Sequence, residues 1–235
     1  MAPRLFVDHS FAAGEPLALP AGASRHVQVL RLQPGAALTL FNGRGGEWSA
    51  QIVAIGRSRV DVQVQAHDPV ERELAARVTL AIGMPANERM DGLIEKATEL
   101  GVAQVQPLLC ERSVLRLAGE RAQKKVEHWR GVAVAAAEQS GRTRVPQIAE
   151  VLPLRDALAA LPAGPRFVLS LRDALPFQPR DASADAVFLS GPEGGLTDAE
   201  EAAARAAGFV PVSLGSRTLR ADTAPLAALA AIALL

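Results

Sequence analysis

Two short stretches of this 235-residue chain carry residue types that can hold and activate a ligand. The first is SGPEGGLTDAE, Ser190 to Glu200, which follows the apolar run AVFLS. The second is SLGSRTLRADTAPL, Ser213 to Leu226. Gly194 and Gly195 can take positive φ and let a ligand touch the backbone. Glu193 sits in the same turn, where a carboxylate can accept backbone N–H bonds. Arg217 and Arg220 are permanent cations that suit an anionic substrate. Neither stretch is a phosphate loop, because no Gly-Lys-Ser/Thr follows, and neither is the G-x-G-x-x-G dinucleotide fingerprint. Spacing alone leaves two readings open, a strained turn with an internal cap and a ligand site. A third loop, Ser170 to Arg172, follows RFVLSL. A fourth, EQSGRTRVP, adds an acid, Glu138, and two cations, Arg142 and Arg144; by itself it reads as an ordinary helix end.

These loops need elements to aim them. Up to about residue 70 the chain alternates short β-like runs with turns: PRLFV, AALTLF, WSAQIVAI and RVDVQVQA, punctuated by LQPGA and NGRGG. Strict alternation in VDVQVQ predicts one buried face. Short strands at regular spacing predict a small barrel or sandwich. ASRHVQVLRL reads as a short helix with Ser24 as N-cap. Beyond HDPVERELAAR the pattern changes. VTLAIGM, VAQVQPLLC, RFVLSL, AVFLSG and FVPVSLG read as strands, separated by helical segments. In ERMDGLIEKATELG, Met90, Leu93, Ile94, Ala97 and Leu100 share one helical face, closed by Gly101. A longer helix is expected from about Gly119 to Gln139, with Gly141 at its end. Thr197 and Glu200 form a capping box for the helix Asp198–Ala207. Asp222 or Thr223 is placed to cap the last helix, with Pro225 in its first turn. Strands alternating with helices predict an α/β fold with a parallel sheet covered on both faces. The boundary falls near residue 72, giving domains 1–72 and 73–235.

Composition sets limits. Half the residues are apolar (49%), so a large core is available. A single cysteine, Cys110, leaves no internal disulfide or cysteine-based zinc cluster and fits a reducing, cytoplasmic setting. The start MAPRLFVDHS has no apolar signal core. The run APLAALAAIALL, 12 residues, is too short to span a bilayer. Net charge is zero, against a protein that coats nucleic acid non-specifically. Yet residues 112–144 hold eight Lys/Arg against three acids, a local +5. That stretch is either a solvated helix face or a phosphate-facing patch.

Four motifs in order, ANERMDGLIEKATELGVAQVQPLLCERSV, AAAEQSGRTRVP, SGPEGGLTDAE and LGSRTLRADTAPLAAL, together resemble the RsmE family. These are bacterial 16S rRNA uracil-N3 methyltransferases of the SPOUT superfamily. RHVQVLRLQPGAALTLFNGRGGEWSAQI is similar to their N-terminal PUA-like β-barrel, so the resemblance covers nearly the whole chain. It implies a parallel-sheet domain whose C-terminal part threads a trefoil knot, a topology that pattern alone cannot give. It implies S-adenosylmethionine (SAM) as methyl donor, S-adenosylhomocysteine as product and no metal. The cofactor positions carried over are Leu169, Ser170, Ser190, Gly191, Pro192, Glu193, Gly194, Gly195, Leu214, Gly215, Leu219 and Arg220. It further implies a homodimer, cytoplasmic and off the membrane, acting on 16S rRNA in the small ribosomal subunit. The interface is expected at the helix Ala224–Leu235 or on the long helix near Trp129. Some positions depart from the family pattern. Ser216 stands for a common Pro, Thr218 for Ile or Val, Asp222 for Glu, and Ser170 for a frequent His.

The implied chemistry assigns roles. Arg220, then Arg142, is the candidate to stabilise a uracil anion. Glu138 or Asp222 is the candidate base. Arg4, Arg25, His26, Arg31, Arg112 and Arg142 are candidates for RNA contact. Two other functions compete with this one. One is a SPOUT enzyme acting on another RNA position or on ribose. The other is a non-catalytic rRNA-binding assembly factor.

Overall fold

The computed structural model of the protein describes residues 2–182 and 185–234. Leu235, at the end of the expected interface helix, lies outside them. The chain divides into two compact units. One comprises Met1–Glu73 with Ala137–Val145, the other Leu74–Ala136 with Pro146–Leu235.

The first unit contains β1 (Arg4–Phe6), β2 (Pro16–Ala18), α1 (Ala21–Val29), β3 (Ala37–Phe41), β4 (Glu47–Ile55) and β5 (Val60–Asp68). Its sheet has the order β1-β3-β4-β5-β2. The pair β1–β3 is parallel and the other pairs are antiparallel. Val60, Val62 and Val64 are buried, the face that the alternation in VDVQVQ requires. They pack with Leu5, Leu38, Leu40 and Ile52. One strand was missed and one expectation needs correction. The strand β2 was not visible, since PLA carries no periodicity. Ser24 is not the cap of α1, because the helix already starts at Ala21 with Pro20 before it. Instead the buried Ser24 hydroxyl donates to Leu19 O at 3.0 Å.

The segment 137–145 joins this unit because its polar groups are met there. Gly45 N–H donates to Thr143 O at 3.2 Å. Thr143 Oγ1 and Arg144 Nε both bond Glu71, each at 2.8 Å. Arg72 Nη1 donates to Gly141 O at 3.0 Å, and Arg4 Nη2 to Arg142 O at 2.9 Å. Arg4 also pairs with Glu47, which Arg72 reaches from another side at 3.0 Å. Burial alone would raise the Glu47 pKa; the hydrogen bonds from Arg72 and Arg4 outweigh it and hold the carboxyl below its ordinary value.

The second unit runs β6 (Val78–Gly83), α2 (Asn87–Glu99), β7 (Gln104–Leu109), α3 (Gly119–Ser140), β8 (Gln147–Ile148), β9 (Leu152–Pro153), α4 (Leu154–Ala160), β10 (Arg166–Leu169) and β11 (Leu175–Pro176). It continues through β12 (Ala186–Ser190), α5 (Asp198–Ala206), β13 (Val210–Ser213) and α6 (Thr223–Ala233). All its strand pairs are parallel, in the order β11-β13-β10-β12-β6-β7-β8, with β9 also on β7. Every residue of β6 and β12 is buried, as a parallel sheet covered on both faces demands. The order makes β13, β10 and β12 neighbours, so the three loops singled out by sequence leave adjacent strand ends.

Met90, Leu93, Ile94 and Ala97 of α2 are buried as expected. Trp129 on α3 is fully buried too, and its indole N–H donates to Asp91 Oδ1 at 2.8 Å. Trp129 itself is core. The helix α6 has 11 residues and buries Pro225, Ala228, Leu229 and Ile232. Among the described residues, no helix is long and apolar enough to cross a membrane.

Candidate active site

The loops after β10, β12 and β13 enclose one pocket of about 500 Å³, and every residue lining it belongs to the second unit. Apolar groups from Leu169, Val212, Leu214 and Leu219 form part of its wall. The loop after β12 contributes the continuous backbone Ser190–Leu196.

That loop is fixed from outside. The capping box on α5 is present: Glu200 N–H donates to Thr197 Oγ1 at 3.2 Å, and Thr197 N–H to Glu200 Oε2 at 2.9 Å. The other Glu200 oxygen accepts Glu111 N–H at 2.8 Å. Glu193 accepts Ala86 N–H at 3.0 Å and lies 3.8 Å from Arg89. Arg112 Nη1 donates to Gly194 O at 3.0 Å and Leu196 O at 3.3 Å. Arg112 therefore positions the glycine turn, a role that the sequence reading, which gave it to RNA, did not find.

The two glycines act differently. Gly195 has φ +69° with open space beside it, so a side chain there is strained by backbone conformation. Gly194 lies outside the left-handed region, and a Cβ would approach Arg112 Cβ to 3.0 Å. Of the two glycines that can take positive φ, only Gly195 does. Ser190 is 4% exposed and its Oγ has no hydrogen-bond partner among the described residues. A buried hydroxyl left unpaired costs about 1–3 kcal/mol, which a ligand's polar group would recover.

On the β10 side, Ser170 Oγ donates to Glu201 Oε1 at 3.1 Å and accepts Arg172 N–H at 3.1 Å. Arg172 is ion-paired with Asp198. On the β13 side, Arg217, Thr218, Arg220 and Ala221 line the pocket, whereas Gly215, with φ +107°, does not. Arg217 and Arg220 are exposed, and neither has an ion-pair partner among the described residues. The expected cap at Asp222 is also corrected: it precedes α6, but among the described residues its side chain makes no capping bond and its buried Oδ1 has no partner. Cys110 is buried and its thiol is pushed up to about 12 by burial, so it stays protonated at neutral pH.

The fourth loop supplies none of the pocket's lining. Glu138 and Arg142 belong to the first unit, and both side chains are engaged. Glu138 Oε1 accepts Phe6 N–H at 2.8 Å, and its Oε2 lies 3.7 Å from His26 Nδ1. The Arg142 side chain is 5% exposed and grips Glu73 through Nε, at 3.0 Å, and Nη2. Arg4, with a side chain 9% exposed, is held by Glu47 and lies over the Phe41 ring at 5.0 Å. Both guanidiniums are neutralised by carboxylates of the same unit. Arg25 and Arg31 are exposed, and His26 is 42% exposed. Sequence reasoning missed Glu201, which lines the pocket and is 8% exposed. In sequence it reads as one more charged residue on a helix surface.

The profile of the RNA methyltransferase domain family matches residues 72–233, and that of the RNA methyltransferase PUA domain matches residues 19–65. A ribosomal RNA small subunit methyltransferase E of Synechocystis is 38% identical over 87% of this chain and 68% of its own length. The enzyme of that name from Bacillus subtilis is 32% identical over 88% and 84%. The crystal structure of a ribosomal RNA small subunit methyltransferase E from Neisseria gonorrhoeae, bound to S-adenosyl methionine, superposes with a TM-score of 0.94 at 36% identity, covering 99% of this chain and 97% of that one.

Proposed function

The chain belongs to the ribosomal RNA small subunit methyltransferase E family, and we propose that it methylates N3 of a specific uridine in 16S rRNA with SAM as donor. The observation that carries this reading is the pocket of about 500 Å³ built from three strand-end loops. Its wall combines an exposed glycine-turn backbone, apolar side chains and an orphaned buried hydroxyl, Ser190 Oγ. Such a wall suits a nucleoside joined to an amino acid. The crystal structure of the Neisseria gonorrhoeae relative is of a SAM-bound protein, which supports the same choice. The donor positions are those named from sequence: Leu169 and Ser170, Ser190 to Gly195, and Leu214 with Leu219 and Arg220; Gly215 shapes the last loop from outside the wall.

SAM supplies an electrophilic methyl group. The protein's residues must prepare the acceptor. Uracil N3 carries a proton and is not nucleophilic until that proton is removed or shared. Asp222 is the proposed base: it is not itself in the pocket wall but follows the pocket-lining Arg220 and Ala221, and its buried Oδ1 has no partner among the described residues, whereas both Glu138 oxygens face groups of the first unit. Arg220, on the pocket wall with no ion-pair partner among the described residues, would bond a uracil carbonyl and stabilise the N3 anion. Holding the two reactants in line contributes further by proximity. A uridine in folded rRNA is paired or stacked, so the base would be extruded into the pocket. Arg25, His26 and Arg31 would contact RNA phosphates. The same reading takes the enzyme to be a cytoplasmic homodimer with a knotted C-terminal segment, acting on the small subunit. The exposed Leu171, Leu175 and Val210 are apolar surface that a second copy would cover.

Isothermal titration calorimetry tests the donor half of this proposal. The protein is expected to bind SAM without added metal, and Gly195→Val to abolish binding while melting as a folded protein. A β-branched residue cannot hold φ +69° without a severe cost. Normal SAM binding by a folded Gly195→Val variant would place the donor site elsewhere.

A further inference from the structure

We infer that Glu201 is the acceptor for a ribose hydroxyl of the donor, an assignment that rests on the reading of the pocket as a SAM site. Glu201 lies one turn into α5, is 8% exposed and forms part of the pocket wall. Only one of its oxygens is used by the protein. Oε1 accepts from Ser170 Oγ at 3.1 Å and from Arg205 Nη2 at 2.8 Å. Oε2 has no hydrogen-bond partner among the described residues. Oε2 is thus an acceptor left open at the pocket wall, and a donor arriving with the ligand would fill it.

SAM brings three kinds of N–H or O–H donor: the α-ammonium, the adenine amine and the two ribose hydroxyls. Arg205 already neutralises Glu201, so a second cation there gains little and meets the guanidinium's repulsion. A neutral donor fits better. The adenine amine lies on the edge of a flat ring, where the carbonyls of a glycine turn can reach it. The ribose hydroxyls project out of that plane and need a side-chain acceptor, a task carboxylates perform in other nucleotide sites. Ser170 holds the carboxylate in place by donating to Oε1, while Arg172 N–H fills the acceptor side of the same hydroxyl.

The test is a calorimetric cycle with S-adenosylhomocysteine and its 2′-deoxy, 3′-deoxy and 6-deamino analogues, on wild type, Glu201→Ala and Glu201→Gln. On wild type, removing the bonded hydroxyl is expected to weaken binding about tenfold or more, as for a hydrogen bond to a charged acceptor. In Glu201→Ala that loss should shrink below about twofold, because the partner is gone. Glu201→Gln, which keeps the shape and one neutral acceptor, should fall between, and it carries the cycle if the alanine variant does not fold. A Glu201 variant that weakens all four ligands by one common factor overturns the assignment. So does coupling to the adenine amine in place of the ribose. Failure of the parent ligand to bind wild type would overturn the SAM reading itself.

Discussion

Replacing Arg220 with alanine is expected to slow methyl transfer by about a hundredfold or more, with a far smaller loss of SAM affinity. Arg220 lines the pocket, is exposed and has no ion-pair partner among the described residues. A guanidinium in that position would be idle in the ground state of the free protein. Its main service would come when negative charge spreads onto the uracil carbonyls, so its loss should appear in rate far more than in donor binding. The competing account makes Arg220 a surface residue paired with Asp222, worth less than about 1 kcal/mol. Among the described residues no such pair is present. Single-turnover assays on purified small subunits, with SAM affinity measured in parallel, decide between them. A rate within about threefold of wild type would remove Arg220 from the catalytic machinery.

Arg142→Ala is expected to act on stability instead. The Arg142–Glu73 pair has side chains only 5% and 16% exposed. Removing one partner of a buried pair leaves the other charge uncompensated and costs about 3–5 kcal/mol. For a chain of this size that corresponds to a fall in melting temperature of roughly 6–20 °C. Glu73→Gln should destabilise as well, and adding it to Arg142→Ala should cost less than the two losses summed, as for partners in contact. Thermal unfolding followed by circular dichroism reads both. An Arg142→Ala variant that melts like wild type but transfers no methyl group would return Arg142 to the list of reacting residues.

That reassignment shows where the sequence was informative. The loops after β10, β12 and β13 were legible because glycine, proline and capping residues have local backbone causes. The Thr197–Glu200 box was readable from four consecutive residues. The strands β6 and β12 were readable from unbroken apolar runs. The partners of Arg4, Arg142 and Glu138 were not, since Glu47, Glu73 and Phe6 N–H lie 43, 69 and 132 positions away in the chain. A charged residue near a glycine looks alike in sequence whether it faces solvent or a buried carboxylate. Glu201 was hidden for the same reason: only the fold turns that helix position towards the pocket. Asp222 was misread as a cap because local sequence favours one there, while the helix starts without using its side chain.

The most direct test is nucleoside mass spectrometry of 16S rRNA, digested after incubating unmodified small subunits with the protein and SAM. The account predicts one new methylated nucleoside, 3-methyluridine, absent when SAM is omitted and formed about a hundredfold more slowly when Arg220→Ala replaces the wild type in a single-turnover reaction. A methyl group on another base or on ribose, or none at all with a protein that binds SAM and RNA, would contradict it.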